Sequence, residues 1–311
     1  MDSYQAKYDS TCLNEAIIDG HMERVRDLVE NKNVYLNLPD FYGRFPLLIA
    51  IETGKRFGMY LLNRPGIDLD VTNLNGMKAI HIAAKYDHLK IIKLLVKKEV
   101  NINDEVGFGR GCLGFSALTF AIHSGRPEII KYLLSLKVIV RPIDVKVLIK
   151  RYDQNGYYNL LENLISLSTP YDENDLTQWV IRSITHRYDS KTFRYLLDNY
   201  PINIKNVIAY RNKDGCYMIH LAAIKNIEII RTLLVNGADI NQRTSYSRET
   251  PLHITVKNDI VKSTELLLDY GADRSLKNDY GKTPLEIAKS NYMVELLTNH
   301  YIEDIKEPDV D

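Results

Sequence analysis

The chain has 311 residues, and its 40 Lys plus Arg balance 40 Asp plus Glu, so no overall field is available to hold nucleic acid or an anionic membrane surface. Hydrophobic residues at 45% and charged residues at 26% fit an ordered protein able to bury a core and exclude a disordered one. There is no signal-like apolar run at the start and no uncharged stretch near the ~18 apolar residues of a spanning helix, and Cys12, Cys112 and Cys216 have neither disulfide nor zinc spacing, which together lead us to expect a cytoplasmic protein with no membrane contact.

A short phrase recurs along the chain. Gly43 opens GRFPLLIA and Gly76 opens GMKAIHIA, 33 positions apart; Gly215 opens GCYMIH, Arg248 opens RETPLH and Gly281 opens GKTPLE, again at intervals of 33. A period of that length marks a repeat array in which each unit leans on its neighbours. In chain order the units fall near 9–42, 43–75, 76–113, 114–143, 212–247, 248–280 and 281–303, with two degenerate units, 144–174 and 175–211, in the middle. The first is weak but keeps Ala16, Gly20, Val25 and Leu28 in register as an N-terminal cap. An acidic tail, 304–311, follows the last.

Each full unit carries two short apolar blocks at helical spacing, as in Ile80, Ile82, Ala83, Ala84 and then Ile91, Ile92, Leu94, Leu95. Pro251 and Pro284 stand at a first helical turn, where the missing N–H is not needed. Gly237 and Gly271 follow the LLV and LLL runs, where a helix closes on a left-handed residue. Asn73, Asn212, Ser245 and Asn278, three positions before each glycine slot, are placed to accept turn hydrogen bonds. In the middle, 143–152 with 157–167 and 176–187 with 192–199 still alternate as helical blocks. They read as divergent units, with an inserted helical subdomain as the competing reading.

The pattern DxxGxTPLHxAAxxG followed by LLxxGADIN resembles the ankyrin repeat, strongly over 43–134 and 212–290. The resemblance implies an all-α solenoid of about nine helix-hairpin units with short β-hairpin fingers in a single array over 1–303. It also implies that His81, His220 and His253, which share one slot, hydrogen-bond backbone near the hairpin rather than bind metal, since ligands one repeat apart cannot close a zinc shell. The composition and the divergent middle resemble ankyrin proteins of large DNA viruses, poxviruses among them, which implies a modulator of host pathways.

Ankyrin arrays bind through finger tips and the first helices, so the resemblance points to the aromatic and arginine tip residues as the partner-binding set: Phe41, Tyr42, Arg44, Phe108, Arg110, Tyr210, Tyr217, Tyr246, Arg248 and Tyr280. The finger before Gly114 holds five extra residues and is the first choice. Its GxGxxG, at Gly109, Gly111 and Gly114, lacks the preceding strand and βαβ setting of a dinucleotide site. No nucleophile elbow, Walker loop or HExxH phrase occurs, so the expectation is a monomeric, non-enzymatic scaffold for a protein partner, with no cofactor, metal or nucleic acid. The alternative is an enzyme inhibitor or enzyme whose functional element lies in 139–211, where Trp179, the only tryptophan, is expected to be an apolar plug.

Overall fold

The computed structural model describes residues 3–32, 34–107, 111–151, 157–168, 171–187, 190–224 and 226–303, and divides into two compact units, Met1–Thr169 and Pro170–Asp311. The acidic tail, 304–311, lies outside the described residues.

Unit 1 stacks five helix pairs: α1 (Ser3–Ile18) with α2 (Met22–Arg26), α3 (Pro46–Thr53) with α4 (Lys55–Leu62), α5 (Ala79–Lys85) with α6 (Leu89–Lys97), α7 (Ala117–Ser124) with α8 (Pro127–Ser135), and α9 (Pro142–Arg151) with α10 (Tyr157–Leu167). The first helices α1, α3, α5, α7 and α9 pack side by side as an inner layer, and α4 lies on α6 in the outer one. Most of these helices have only seven to ten residues, too few to be stable alone in water, so their stability comes from the neighbours. The sequence of α5 shows how: Ala79, Ile80, Ile82, Ala83 and Ala84 are all buried, and the small residues let adjacent helices approach. Gly58 does the same in α4, because a Cβ there would sit 2.8 Å from Ile91 Cδ1.

Unit 2 contains α11 (Glu173–Arg182), which widens into a π turn over Ser183–Arg187, and its partner α12 (Ser190–Asn199). After these come the pairs α14 (Met218–Ala223) with α15 (Ile227–Val235) and α16 (Pro251–Lys257) with α17 (Val261–Asp269). The last repeat keeps one 3-10 turn, Leu285–Ile287, before α18 (Asn291–Glu303), so its first helix is reduced to a stub. The stretch 142–199 thus holds the helix pairs α9 with α10 in unit 1 and α11 with α12 in unit 2. The sequence pattern did not disclose α13 (Ile204–Ala209), which packs against both α11 and α14. Trp179 is 1% exposed with its ring 5.4 Å from that of Tyr171, a buried plug as expected.

Between pairs the chain makes tight turns, the fingers. In each, the residue at the base closes on the residue four further on: Asp40 N–H to Arg44 O, Asn73 to Met77, Asn212 to Cys216 and Asn278 to Lys282, all near 3.0 Å. The Asx side chain then accepts from two backbone N–H groups inside the turn, which satisfies the loop without a strand partner. Among the described residues the fingers hold no extended strand, only two isolated bridges, Val140 with Ser168 and Arg211 with Tyr217. Ser245 does not play the expected part: the base is Thr244, whose N–H closes on Glu249 and whose Oγ1 accepts from Glu249 N–H. This finger holds one more residue than the others, and Arg248 takes the left-handed slot at φ 49° in place of glycine. The longest finger closes through Val106 and Phe115, with Gly111 and Gly114 at positive φ, so these members of the GxGxxG phrase shape a loop.

Candidate interaction surface

Three fingers are held to the helices by one recurring side-chain slot, the third residue of α5, α14 and α16. His81 Nδ1 accepts from Lys78 N–H at 3.0 Å, and its Nε2 meets the Asp104 carbonyl at 2.9 Å. A carbonyl can only accept, so the ring is neutral with its proton on Nε2. His220 repeats this between Tyr217 N–H and Gln242 O, and His253 between Thr250 N–H and Lys282 O. Each ring thus caps its own helix and pins the next finger. Burial lowers the pKa of all three, that of His220 to about 4, because the charged form would be desolvated with both partners already satisfied.

Other polar residues take a similar part elsewhere. Asn14 donates to the Arg44 carbonyl at 3.0 Å, which ties α1 to the first finger. Thr119 accepts from Ser116 N–H and donates to Asp144 Oδ1 at 2.5 Å, while Asp144 Oδ2 accepts from Arg141 N–H. Asp175 and Glu286 cap Asp172 and Thr283 in the same manner. Burial raises the Asp144 pKa against the pull of its hydrogen bonds with Thr119 and Arg141.

With their bases fixed, the fingers expose their tips. In unit 1, Phe41 is 47% exposed with its ring 5.3 Å from Tyr4, and Tyr42 is 68% exposed under the Arg44 guanidinium at 4.8 Å. Arg44 also pairs with Asp40 at 2.8 Å, so its charge is engaged within its own finger. Leu74 (74% exposed) and Leu113 (64%) also stand out from fingers of this unit, and a search confined to aromatic and arginine residues passes over both. Phe108 and Arg110 lie outside the described residues.

In unit 2 the fingers are bonded side to side, Ser245 N–H to Gly215 O and Asp279 N–H to Ser247 O, each at 3.0 Å. The Tyr246 ring leans over Gly215, where a Cβ would lie 3.0 Å from it, yet Tyr246 remains 73% exposed. Tyr280 is 77% exposed, and Arg248 beside it faces Asp279 at 3.9 Å. Tyr217 is only half-exposed at the start of α14, its ring 6.1 Å from His220, and Tyr210 sits at the end of α13. The structure thus groups Tyr246, Arg248 and Tyr280 on adjoining fingers and places Tyr210 and Tyr217 nearer the helices. Among the described residues no group of three or more His, Cys, Asp or Glu is arranged to hold a metal, and no helix is long and apolar enough to cross a membrane.

Helix pairs stacked at a fixed period, pinned by a polar slot and displaying a finger from each repeat, define a repeat protein built for protein-protein interaction. The family model for ankyrin repeats (three copies) matches residues 57–144 and 219–309, and the chain belongs to the ankyrin repeat family. It is 38% identical over 74 residues to ankyrin repeat and SOCS box protein 11 of Danio rerio, a match covering 24% of this chain and 25% of that one. A putative ankyrin repeat protein of fowlpox virus is 43% identical over 61 residues, covering 20% and 18% respectively. The NAD-dependent deacetylase sir2B of Dictyostelium discoideum is 24% identical over 290 residues, covering 86% of this chain and 35% of that protein. The chain thus spans about a third or less of the length of these relatives. Among solved structures, the ankyrin repeat domain of Bcl-3 aligns over 92% of this chain and 97% of its own, with 18% identity and a TM-score of 0.33.

Proposed function

We propose that this chain is a non-enzymatic scaffold that holds a partner protein through its finger tips and the adjoining first helices. The observation that carries this reading is the contrast within each finger between a hydrogen-bonded base and an exposed apolar tip at Tyr42, Leu74, Tyr246 and Tyr280. A tip on a rigid base loses little entropy on binding, and aromatic anchors of this kind dominate interface energies. Arg44 and Arg248 act in the interface by orienting neighbouring tips. The likeness to a fowlpox virus ankyrin protein supports a role as a modulator of host pathways. The three free cysteines support a cytoplasmic place of action.

The test is affinity capture from a cytosolic lysate with the wild type and with a variant carrying serine at Phe41, Tyr42, Tyr246 and Tyr280. The expected outcome is loss of one specific band with the melting curve unchanged. Equal capture by both proteins would overturn the assignment to these tips.

A further inference from the structure

The fingers of the two units carry their charge differently. In unit 1 Arg44 pairs with Asp40 at 2.8 Å, and Lys78 is held between Asp70 at 2.8 Å and Asp104 at 2.7 Å. In unit 2, among the described residues, Arg211, Lys213, Arg243, Lys277 and Lys282 form no ion pair, and only Arg248 of the finger cations faces a carboxylate, that of Asp279 at 3.9 Å. The other carboxylates of this region are engaged elsewhere: Glu249 pairs with Lys257 at 3.0 Å, Asp273 accepts from Ser275 N–H and Glu286 from Thr283 N–H.

Three of these cations form a row. Arg211, Arg243 and Lys277 stand immediately before the finger bases Asn212, Thr244 and Asn278, where unit 1 has Pro39, Thr72 and Glu105. Each arginine reaches across to the next finger: Arg211 Nη1 donates to Ser245 Oγ at 3.0 Å and Arg243 Nη1 to the Lys277 carbonyl at 3.4 Å. One neutral acceptor uses a single donor of the guanidinium fork and leaves its charge uncompensated. Arg211, Lys213, Lys277 and Lys282 are exposed and Arg243 is half-exposed, on the same fingers that present Tyr246 and Tyr280. Because α14 packs on α16, successive repeats stand roughly 8–10 Å apart, a step that an extended chain covers in about three residues.

We propose that the fingers of unit 2 take an acidic segment of the partner protein, its Asp and Glu side chains meeting Arg211, Arg243 and Lys277 while the residues between them pack on Tyr246 and Tyr280. This rests on the finger-tip reading and adds the chemistry of the partner. Cations held side by side without counterions repel one another, and an acidic segment relieves that repulsion, whereas the finger cations of unit 1 are already compensated. Asp214 and Asp279, exposed on the same fingers, would repel the evenly spaced phosphates of a nucleic acid, but a peptide can place its acids at the cations alone.

The probe is a library of degenerate seven-residue peptides, acetylated and amidated so that every carboxylate is a side chain, selected on the full chain. Wild type is expected to enrich Asp or Glu about tenfold at positions about three residues apart, with capture falling as salt rises. The triple variant Arg211→Gln, Arg243→Gln, Lys277→Gln is expected to lose that enrichment, and a control carrying Lys90→Gln, Lys97→Gln and Lys98→Gln on α6 to keep it. Absence of acidic enrichment in the wild type, its persistence in the triple variant or its loss in the control would overturn the proposal, as would tighter retention of a single-stranded oligothymidylate than of the selected peptides. Should the triple variant melt below the wild type, Lys213→Glu with Lys277→Glu, whose ammonium groups make no bond within the chain among the described residues, is expected to weaken capture about tenfold, and unchanged capture would overturn the proposal. A lysate band lost by the finger-tip serine variant but kept by the triple variant would overturn this inference and leave the finger-tip reading standing; a band kept by the serine variant would overturn that reading instead.

Discussion

The regular repeats and the divergent ones differ less in their local geometry than in their reach. Where the slot holds histidine, as at His81, His220 and His253, one side chain caps its own helix and pins the next finger. Where it holds Asp144 or Asp175 in the divergent units, or Thr119 just before them, the cap survives, but among the described residues the slot makes no bond to the next finger; Thr119 reaches Asp144 instead. Helix starts are thus kept by several chemistries, and so is coupling between repeats: a histidine ring caps and pins at once, whereas Asn14 and Thr119 reach the neighbouring repeat through an amide and a hydroxyl.

The largest effect is expected at the coupling between fingers. Gly215 has φ 74°, and an added Cβ would lie 2.9 Å from Ser245 Cβ and 3.0 Å from the Tyr246 ring. Gly215→Ala therefore combines backbone strain with a clash against the next finger and is expected to cost about 4 kcal/mol. Thermal unfolding measures this. A variant melting with the wild type would show that the fingers do not lean on one another.

Next in size is His220→Ala, which leaves Tyr217 N–H and the Gln242 carbonyl without their partner and opens a cavity, for about 3 kcal/mol. The same residue sets an acid limit. Its pKa in the fold is near 4 against an ordinary 6.5, so the unfolded chain takes up the proton first. The stability it contributes is complete above pH 6.5 and is lost as the pH falls through 4. Denaturant midpoints are expected to decline over that window in the wild type and to decline less in His220→Ala.

Much of this was legible because period, caps and turn residues agree at the regular units, where each letter of the phrase answers to one hydrogen bond. A repeated histidine makes its slot legible, whereas Asn14 and Asp144 do comparable work with other letters, and Asp144, 25 residues after Thr119, falls outside the 33-residue period. The constant spacing of 33 between glycine slots points to Ser245 as a turn base, but the extra residue falls inside the finger and moves the base to Thr244. Helix α13 gave no signal, since six residues span less than two turns and leave no apolar period to detect. At the tips, the sequence could rank side chains by type but could not show that Arg44 pairs with Asp40 or that Leu74 stands clear.

In a divergent slot the corresponding truncation is expected to cost less. Asp175→Ala removes the acceptor for Asp172 N–H but, among the described residues, breaks no bond to the next finger, so about 1 kcal/mol is expected, a third of the histidine effect. Equal losses at the two positions would erase the distinction between cap and coupling.

The smallest effect, and the one that sharpens the comparison most, is expected at Asp144. Its carboxyl is buried and its pKa is raised, so keeping it ionised at neutral pH works against the fold, and that penalty disappears as the pH falls below the ordinary carboxylate range. Asn in its place could accept from Arg141 N–H on its one oxygen and donate from Nδ2 to Thr119 Oγ1, whose hydroxyl would turn toward Ser116 Oγ, with no buried charge. Asp144→Asn is therefore expected to be equal to or more stable than the wild type at pH 7, by less than about 1 kcal/mol, with the advantage shrinking toward pH 3. A clear loss at pH 7 would mean that the nearby Arg141 guanidinium needs this negative charge. The Thr119–Asp144 bond would then be a charge-assisted hydrogen bond that joins neighbouring repeats where no histidine does.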